Sequence, residues 1–519
     1  MSAEASAACA APAPARAARK QGLMLLLGGL VGIEFLDNAM FVFAASHIVG
    51  GIDAAPREFA RVQAAYAVGS MLMIVMQQFF ARHFGYRRYL SAALALFMLG
   101  AAGCAASVDL LTLTLARFVQ GFGGGALFTS ARVLVPLLFP VAERPLALKY
   151  FMLVLFGMSA CGPALASVLT DGLGWRWIFI GTLPLAAAAL AATWVLLPDG
   201  AGRTSAPVRW AAAPLLLIAA ALTLLQVALS AARFDLFADP VRLAVASLGG
   251  AVLLAAFLMN QWRHDEPLLR LRELRHPAFV MGLALYFLHY LLSNSANYVF
   301  PIFAEQALGI PLVAAGWLNT FSAVVSLLGA YAYLRFARLL PNKKFLMGAG
   351  AAMLAISAWL FSRMPPDAPL ALLLQALVAK GLFGVMLVLP VAGLTFRDLG
   401  DDRFAHGYQS KNLMRQLAGS FATAVAAIVV QDRQFVNASH LAGRVDTGQA
   451  ATLDWIARVE AGYAAQGLAA GQAHAAALAG LKRIVDQQAT LLACQDVYRL
   501  LAVAALATAA IVLLQRRLK

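Results

Sequence analysis

Apolar stretches of about 20 residues, long enough to cross a bilayer as a helix, recur along the whole chain between short polar turns. They lie near 22–50, 59–81, 89–107, 110–139, 146–170, 177–198, 211–230, 241–260, 278–304, 312–337, 345–363, 369–395, 408–431 and 497–515. Each is read as one helical span, fourteen in all. An even count puts both termini on one side, and the basic residues choose the side. Arg16, Arg19 and Lys20 precede the first span, Arg82, Arg87 and Arg88 follow the second, and Arg263, Arg270, Arg272 and Arg275 follow the eighth. Arg338, Lys343 and Lys344 follow the tenth, and Arg516, Arg517 and Lys519 close the chain. The alternate short loops at 51–58, 108–109, 171–176, 305–311 and 364–368 carry few basic residues. Lys and Arg accumulate on cytoplasmic loops, so the pattern predicts a multi-pass protein of the inner membrane with cytoplasmic N- and C-termini. The exception is 432–496, Ala- and Gln-rich with helical spacing, which is expected to form amphipathic helices outside the membrane.

Composition agrees: 62% of residues are hydrophobic and 13% charged, against about 25% charged in soluble domains. The net charge of +15 sits between apolar runs and forms no basic stripe interleaved with aromatics, which argues against a nucleic-acid partner and for contact with membrane lipid. Cys9, Cys104, Cys161 and Cys494 are scattered without metal-ligand spacing, so no metal or disulfide framework is expected. The first apolar run is too long for a signal-peptide core and is read as a retained span.

That run contains GLVGIEFLDNAMFVF, residues 29–43, with Glu34 and Asp37 inside hydrocarbon. A carboxylate at the bilayer centre costs roughly 2.5–3.5 kcal/mol on insertion scales and commonly marks an ion or proton path. Span four, ARFVQGFGGGA, buries Arg117, a guanidinium that stays charged and needs an anion or a wet cavity. Either Glu34 or Asp37 could supply it. Gln120 follows one turn later, and Gly121, Gly123, Gly124 and Gly125 are read as permitting close helix packing.

In span five, FGMSACGPALAS, Pro163 removes a mid-helix hydrogen bond and invites a bend. Gly157 and Gly162 would let another helix approach. GWRWIF at 174–179 reads as an interfacial aromatic belt with a snorkelling Arg176. SNSANY at 293–298 places Asn294, Asn297 and Tyr298 in an apolar span, where amides must face a cavity or another helix. Lys411, Asn412 and Arg415 lie on YQSKNLMRQLAGS, and snorkelling accounts for Lys411 as well as function does. The chain has no phosphate-binding GxxxxGK[ST], no HExxH and no nucleophile elbow, so no cofactor is expected and ATP-driven transport would need another chain.

Weak internal repeats appear. Arg117-x3-Gly121 is echoed by Lys380-x3-Gly384, and HFGYRR (83–88) by LLPNKK (339–344). This predicts a six-helix half over 22–198, an inserted pair with linkers over 199–277 and a second half over 278–515, with short tails at 1–21 and 516–519. Repeated halves around a central site are transporter architecture.

Several stretches in chain order resemble the major facilitator superfamily, specifically its fourteen-span drug:proton antiporters of the EmrB/QacA type. They are FLDNAMFVFA, FFARHFGYRRYL, LARFVQGFGGG, GMSACGPALAS with GWRWIFIGTLPL, and NLMRQLAGSFATA. The resemblance covers nearly the whole chain. It departs at Gln78, where the loop between helices 2 and 3 usually opens with glycine, and at Arg82, where that loop usually has an acid. Ala166-Ser167 replaces a glycine pair and Thr182 an asparagine.

The resemblance implies an all-α polytopic protein with the major facilitator fold, two six-helix halves plus two inserted central helices. It implies proton-coupled export of lipophilic or amphipathic toxic compounds by alternating access, not an enzyme. Asp37, Glu34 and Arg117 would handle the proton, and Phe41, Gln120, Asn294, Asn297, Tyr298 and Arg415 would line the substrate cavity. Gly85, Arg87 and Arg88, with Gly157, Gly162 and Pro163, would serve conformational change. The external segment is similar to that of members that work with a periplasmic membrane-fusion adaptor and outer-membrane channel. A transporter of one metabolite or a siderophore-like molecule would share the fold. A membrane-embedded enzyme would need clustered His, Cys or acids at a rim, and a non-transporting sensor would not need buried acids.

Overall fold

A computed structural model describes residues 13–54, 56–204, 212–235, 239–264, 267–336, 339, 342–397, 399–445 and 449–518. Cys9, Arg338, Lys519 and the 205–211 part of the linker lie outside the described residues. The described residues are helical throughout their regular structure, with no strand among them. A spanning backbone must satisfy its own polar groups, and a helix does so within one segment.

Along the chain, α1 (Ala13–Phe43) is followed by the short α2 (Ala45–Gly51), then α3 (Pro56–Phe84), α4 (Tyr86–Ala106), α5 (Leu110–Leu138) and α6 (Arg144–Leu173). Two pieces, α7 (Trp177–Ile180) and α8 (Leu183–Leu196), make up one candidate span, and α9 (Ala212–Asp235) and α10 (Pro240–Arg263) follow. Then come α11 (Pro277–Pro301), which runs into a π turn at Ile302–Ala307, α12 (Leu312–Phe336) and α13 (Lys343–Ser362). The chain ends with α14 (Leu370–Met386), α15 (Val388–Thr395), α16 (Asp401–Ala442), α17 (Ala450–Ala465) and α18 (Ala470–Leu514). Among the described residues, thirteen candidate spans are long and apolar enough to cross a membrane, and Ala213–Leu229 is a shorter apolar helix. The helix ends follow local chemistry. Asp109 caps α5 by accepting from Thr112 N–H at 2.7 Å, and the bonds from Thr112 hold its carboxyl below the usual range. Proline stands in the first turn of α6, α8, α10 and α11, where its missing N–H costs nothing.

Among the early helices α1 packs on α6, α3 on α5, and α4 on both α5 and α8. The pairing recurs later, with α11 on α16, α12 on α14, and α13 on both α14 and α18. The two sets meet through α6 against α12 and α3 against α16, while α9 lies across α3 and α16. Glycines set the α5 seam: a Cβ at Gly121 would fall 2.2 Å from the Tyr66 carbonyl, and one at Gly125 2.4 Å from that of Ser70. Gly85 at the α3–α4 turn has φ +81°, a conformation open to glycine at little cost. There Tyr86 N–H donates to Ala201 O at 2.8 Å and Thr204 N–H to Arg82 O at 3.0 Å. Arg87 stacks on Trp194 at 4.7 Å, tying α4 to α8, while Arg88 is exposed.

Span five departs from its sequence reading at one glycine. Gly162 does meet α1, 2.6 Å from the Ala39 Cβ, but a Cβ at Gly157 would meet nothing within 4 Å. Gly157 is therefore not a packing glycine; spacing alone does not show which face of a helix carries the neighbour. Helix α6 runs through Pro163 as one element. Within GWRWIF, Trp175 is buried and Trp177 exposed, while Arg176 stacks on Trp175 at 4.5 Å and donates to Ser107 O at 3.0 Å.

At 42 and 45 residues, α16 and α18 are each about 65 Å long at 1.5 Å per residue, roughly twice the hydrocarbon thickness. Their overhang carries α17, held to α18 by His474 against Glu460, while Gln434 of α16 donates to Thr490 of α18 at 2.9 Å. The 432–496 segment is thus largely a continuation of two crossings.

Candidate functional site

Between the two sets of helices lies a cavity of about 520 Å³, lined from α1, α3, α5, α6, α11, α12 and α14–α16. Near one end α6 and α12 touch. Ala164 N–H donates to Thr320 Oγ1 at 3.1 Å, and a Cβ on Gly316 would lie 2.2 Å from Ser167 Oγ. Farther along the same two helices, Leu148 of α6 and Leu334 of α12 both line the cavity.

The acids of α1 stand just behind this wall. Asp37 accepts from Arg117 at 3.0 Å and from Gln120 Nε2 at 2.8 Å, and Gln120 Oε1 accepts from Arg117 at 2.8 Å. The triangle is closed to solvent, with Asp37 2% and Arg117 1% exposed. The rings of Phe41 and Tyr66 lie against the guanidinium at 3.9 and 4.3 Å. Of the two partners left open by the sequence, Arg117 therefore takes Asp37.

Glu34 takes a different cation. Its Oε1 accepts from Arg415 Nη2 at 2.7 Å, while Oε2 has no hydrogen-bond partner among the described residues. Asp37 pairs within the early helices, but Glu34 on α1 pairs with α16, 381 residues away. Three amides of α16 seam it to α3 and α5. Gln416 donates to Ser70 at 2.7 Å, Asn412 to Thr129 at 2.8 Å, and Gln409 to the Ile74 carbonyl at 2.6 Å.

Asn294, Asn297 and Arg415 line the cavity. Phe41, Gln120 and Tyr298 do not. Gln120 is fully buried in the Asp37–Arg117 triangle, Phe41 is packed over that guanidinium, and Tyr298 packs against the core. Pro163 is on the wall, whereas Gly85, Arg87 and Arg88 sit at the α3–α4 turn. Lys411 does not snorkel. It is 3% exposed and sits near the rings of Phe128, Tyr408, Tyr286 and Tyr290 at 4.3, 4.9, 5.1 and 5.5 Å.

Lys380, Arg132 and His289 also reach the cavity and were missed as site residues. Lys380 donates to Asn319 at 2.9 Å in the middle of an apolar helix, and its place in the Arg117 echo was the available signal. His289 precedes Ser293 by one turn on the same face of α11. Among the described residues no group of three or more metal-binding side chains is gathered.

Comparison with known proteins places this geometry. The Major Facilitator Superfamily model matches residues 27–423. An uncharacterized MFS-type transporter, YhcA of Bacillus subtilis (strain 168), is 22% identical over 428 residues, 82% of this chain and 79% of that one. A protein provisionally named multidrug resistance protein MdtD, of Salmonella heidelberg (strain SL476), is 26% identical over 408 residues, 77% of this chain and 84% of that one. Among solved structures, tetrameric PepTSo2 superposes with a TM-score of 0.58 at 14% identity, covering 95% of this chain and 97% of that one. The xylose transporter XylE from E. coli gives 0.52 at 14% identity, covering 78% and 90%. At that identity the structures speak for the fold. With the family match spanning most of the chain, the protein belongs to the Major Facilitator Superfamily and is a multi-pass membrane transporter.

Proposed function

We propose that the protein is a proton-coupled antiporter that exports lipophilic or amphipathic toxic compounds, of the fourteen-span EmrB/QacA type, with Ala213–Leu229 within α9 as the short crossing. The recurrent helix pairing supports two six-helix halves over 22–198 and 278–515, with α9 and α10 inserted between them. The basic loops support cytoplasmic termini in the inner membrane. In that orientation the α6–α12 contact at Ala164 and Thr320 is the outer gate, and the cavity opens inward past Leu148 and Leu334. The name of the MdtD relative is in keeping with efflux of many compounds.

The observation that carries this reading is the pair of buried carboxylate–guanidinium contacts beside the cavity, one within the first half and one between halves. A low-dielectric site favours the neutral acid and a touching guanidinium favours the anion, so separating the partners exchanges a proton. Protonating Glu34 weakens its hold on Arg415 and frees α1 from α16, while Asp37 loads and unloads beside Arg117. Proton occupancy then shifts the balance between inward- and outward-facing states by differential affinity. The apolar wall with a few polar groups suits lipophilic solutes.

Purified protein in vesicles, given an imposed pH gradient and a panel of toxic lipophilic compounds, is expected to move several of them against their gradients. Flux of the whole panel at the protein-free rate contradicts the proposal, and flux of one metabolite alone favours the narrow-specificity alternative. The α16–α18 overhang is proposed to dock a periplasmic adaptor leading to an outer-membrane channel. If a chain lacking 440–485 keeps a co-purifying adaptor as well as the full chain does, that docking role is wrong.

A further inference from the structure

Five basic side chains reach the cavity wall, namely Arg117, Arg132, Lys380, Lys411 and Arg415, while no carboxylate is among the described residues that line it. The acids nearby lie behind the surface and account for two of the five: Asp37 holds Arg117 and Glu34 holds Arg415. The other three form no ion pair with a carboxylate among the described residues, although Glu34 lies within electrostatic reach of Lys411. Lys411 rests among four aromatic rings, Arg132 lies over Phe404 at 4.6 Å, and Lys380 has the neutral amide of Asn319.

A buried cation without an anion is costly. Ring faces and an amide oxygen return only part of what water would give. Low-dielectric walls of one sign also focus the potential into the space they enclose. An anion entering the cavity completes these contacts, whereas a cation adds another like charge. We propose that the cavity selects organic anions: an aromatic or aliphatic body against Phe128, Phe156 and Tyr290, with a carboxylate or similar oxyanion head drawn by the positive field that Lys380 and Lys411 set from two places on the wall. A second basic pair continues the path. Lys149 and Arg335 border a smaller pocket beside the cavity, and Leu334 lines both. The cluster escapes motif reading because its members come from α5, α6, α12, α14 and α16.

The inference takes the cavity to be the substrate site of the proposed exporter, but it does not depend on proton coupling. Its test is binding to full-length protein in phosphatidylcholine nanodiscs, without a pH gradient and without anionic lipid. Three probes share one ring system: 2-naphthoate, neutral 2-naphthamide and 2-naphthylmethylammonium. Naphthoate is expected to bind at least tenfold more tightly than the other two. Lys380→Gln and Lys411→Gln are each expected to lose about that factor for naphthoate while leaving naphthamide unchanged, which also reports intact folding. Lys411→Arg keeps the charge and is expected to keep the affinity. The proposal is overturned by equal or tighter binding of the ammonium probe, by no naphthoate binding at millimolar concentration, or by wild-type naphthoate affinity in both glutamine variants. If the binding preference holds in a protein that shows no gradient-driven flux, the coupling mechanism fails and the anion site stands.

Discussion

Replacing Asp37 with asparagine is expected to bring pH-gradient-driven transport down to the rate of protein-free vesicles. The asparagine side chain keeps the shape and can still accept from Gln120, but it neither carries a proton nor neutralises Arg117, which is 1% exposed. Removing one partner of a buried ion pair costs about 3–5 kcal/mol, so the single variant is also expected to melt at a lower temperature. The double variant Asp37→Asn/Arg117→Gln separates the two effects. It removes the stranded charge and is expected to regain thermal stability without regaining coupling. Gradient-driven accumulation at the wild-type rate in either variant contradicts the role given to Asp37.

The second large effect is conformational. Glu34 and Arg415 join α1 to α16 at 2.7 Å across the interface between the two helix sets. Glu34→Gln keeps a hydrogen-bond acceptor but removes the charge, as protonation does. Distances between spin labels on α1 and α16 are expected to shift toward the separated state at neutral pH by roughly tenfold in population, ~1.4 kcal/mol, and to lose most of their pH dependence. Arg415→Gln is expected to do the same. Wild-type distance distributions with unchanged pH dependence in both variants rule out the latch.

Much of the fold is legible in the chain because the bilayer imposes a length and a polarity on every crossing, and the apolar runs at 89–107 and 345–363 correspond to α4 and α13 within a few residues. Buried charge is legible for the same reason, since Glu34, Asp37 and Arg117 stand out from hydrocarbon. What helical period does not carry is the partner. Glu34 and Asp37 lie one turn apart, yet one reaches α16 and the other α5. Gln120 looks like a cavity residue until Asp37 is seen to take its amide. Gly157 looks in sequence like a packing glycine, yet a Cβ there would meet nothing within 4 Å. The cage around Lys411 draws rings from α5, α11 and α16, so no single span shows it. The side chain that snorkelling would have explained equally well is instead one of the cations turned into the cavity.

The central claim is that the carboxylates of α1 exchange protons as the transporter changes state. It is met most directly by counting protons released or taken up when a transported compound is added to purified protein in weakly buffered solution, with a pH-sensitive dye as the readout. The account predicts a saturable proton signal that follows binding in the wild type and vanishes in Asp37→Asn/Glu34→Gln. A signal of the same size in that double variant, with binding intact, would place the exchanged proton elsewhere.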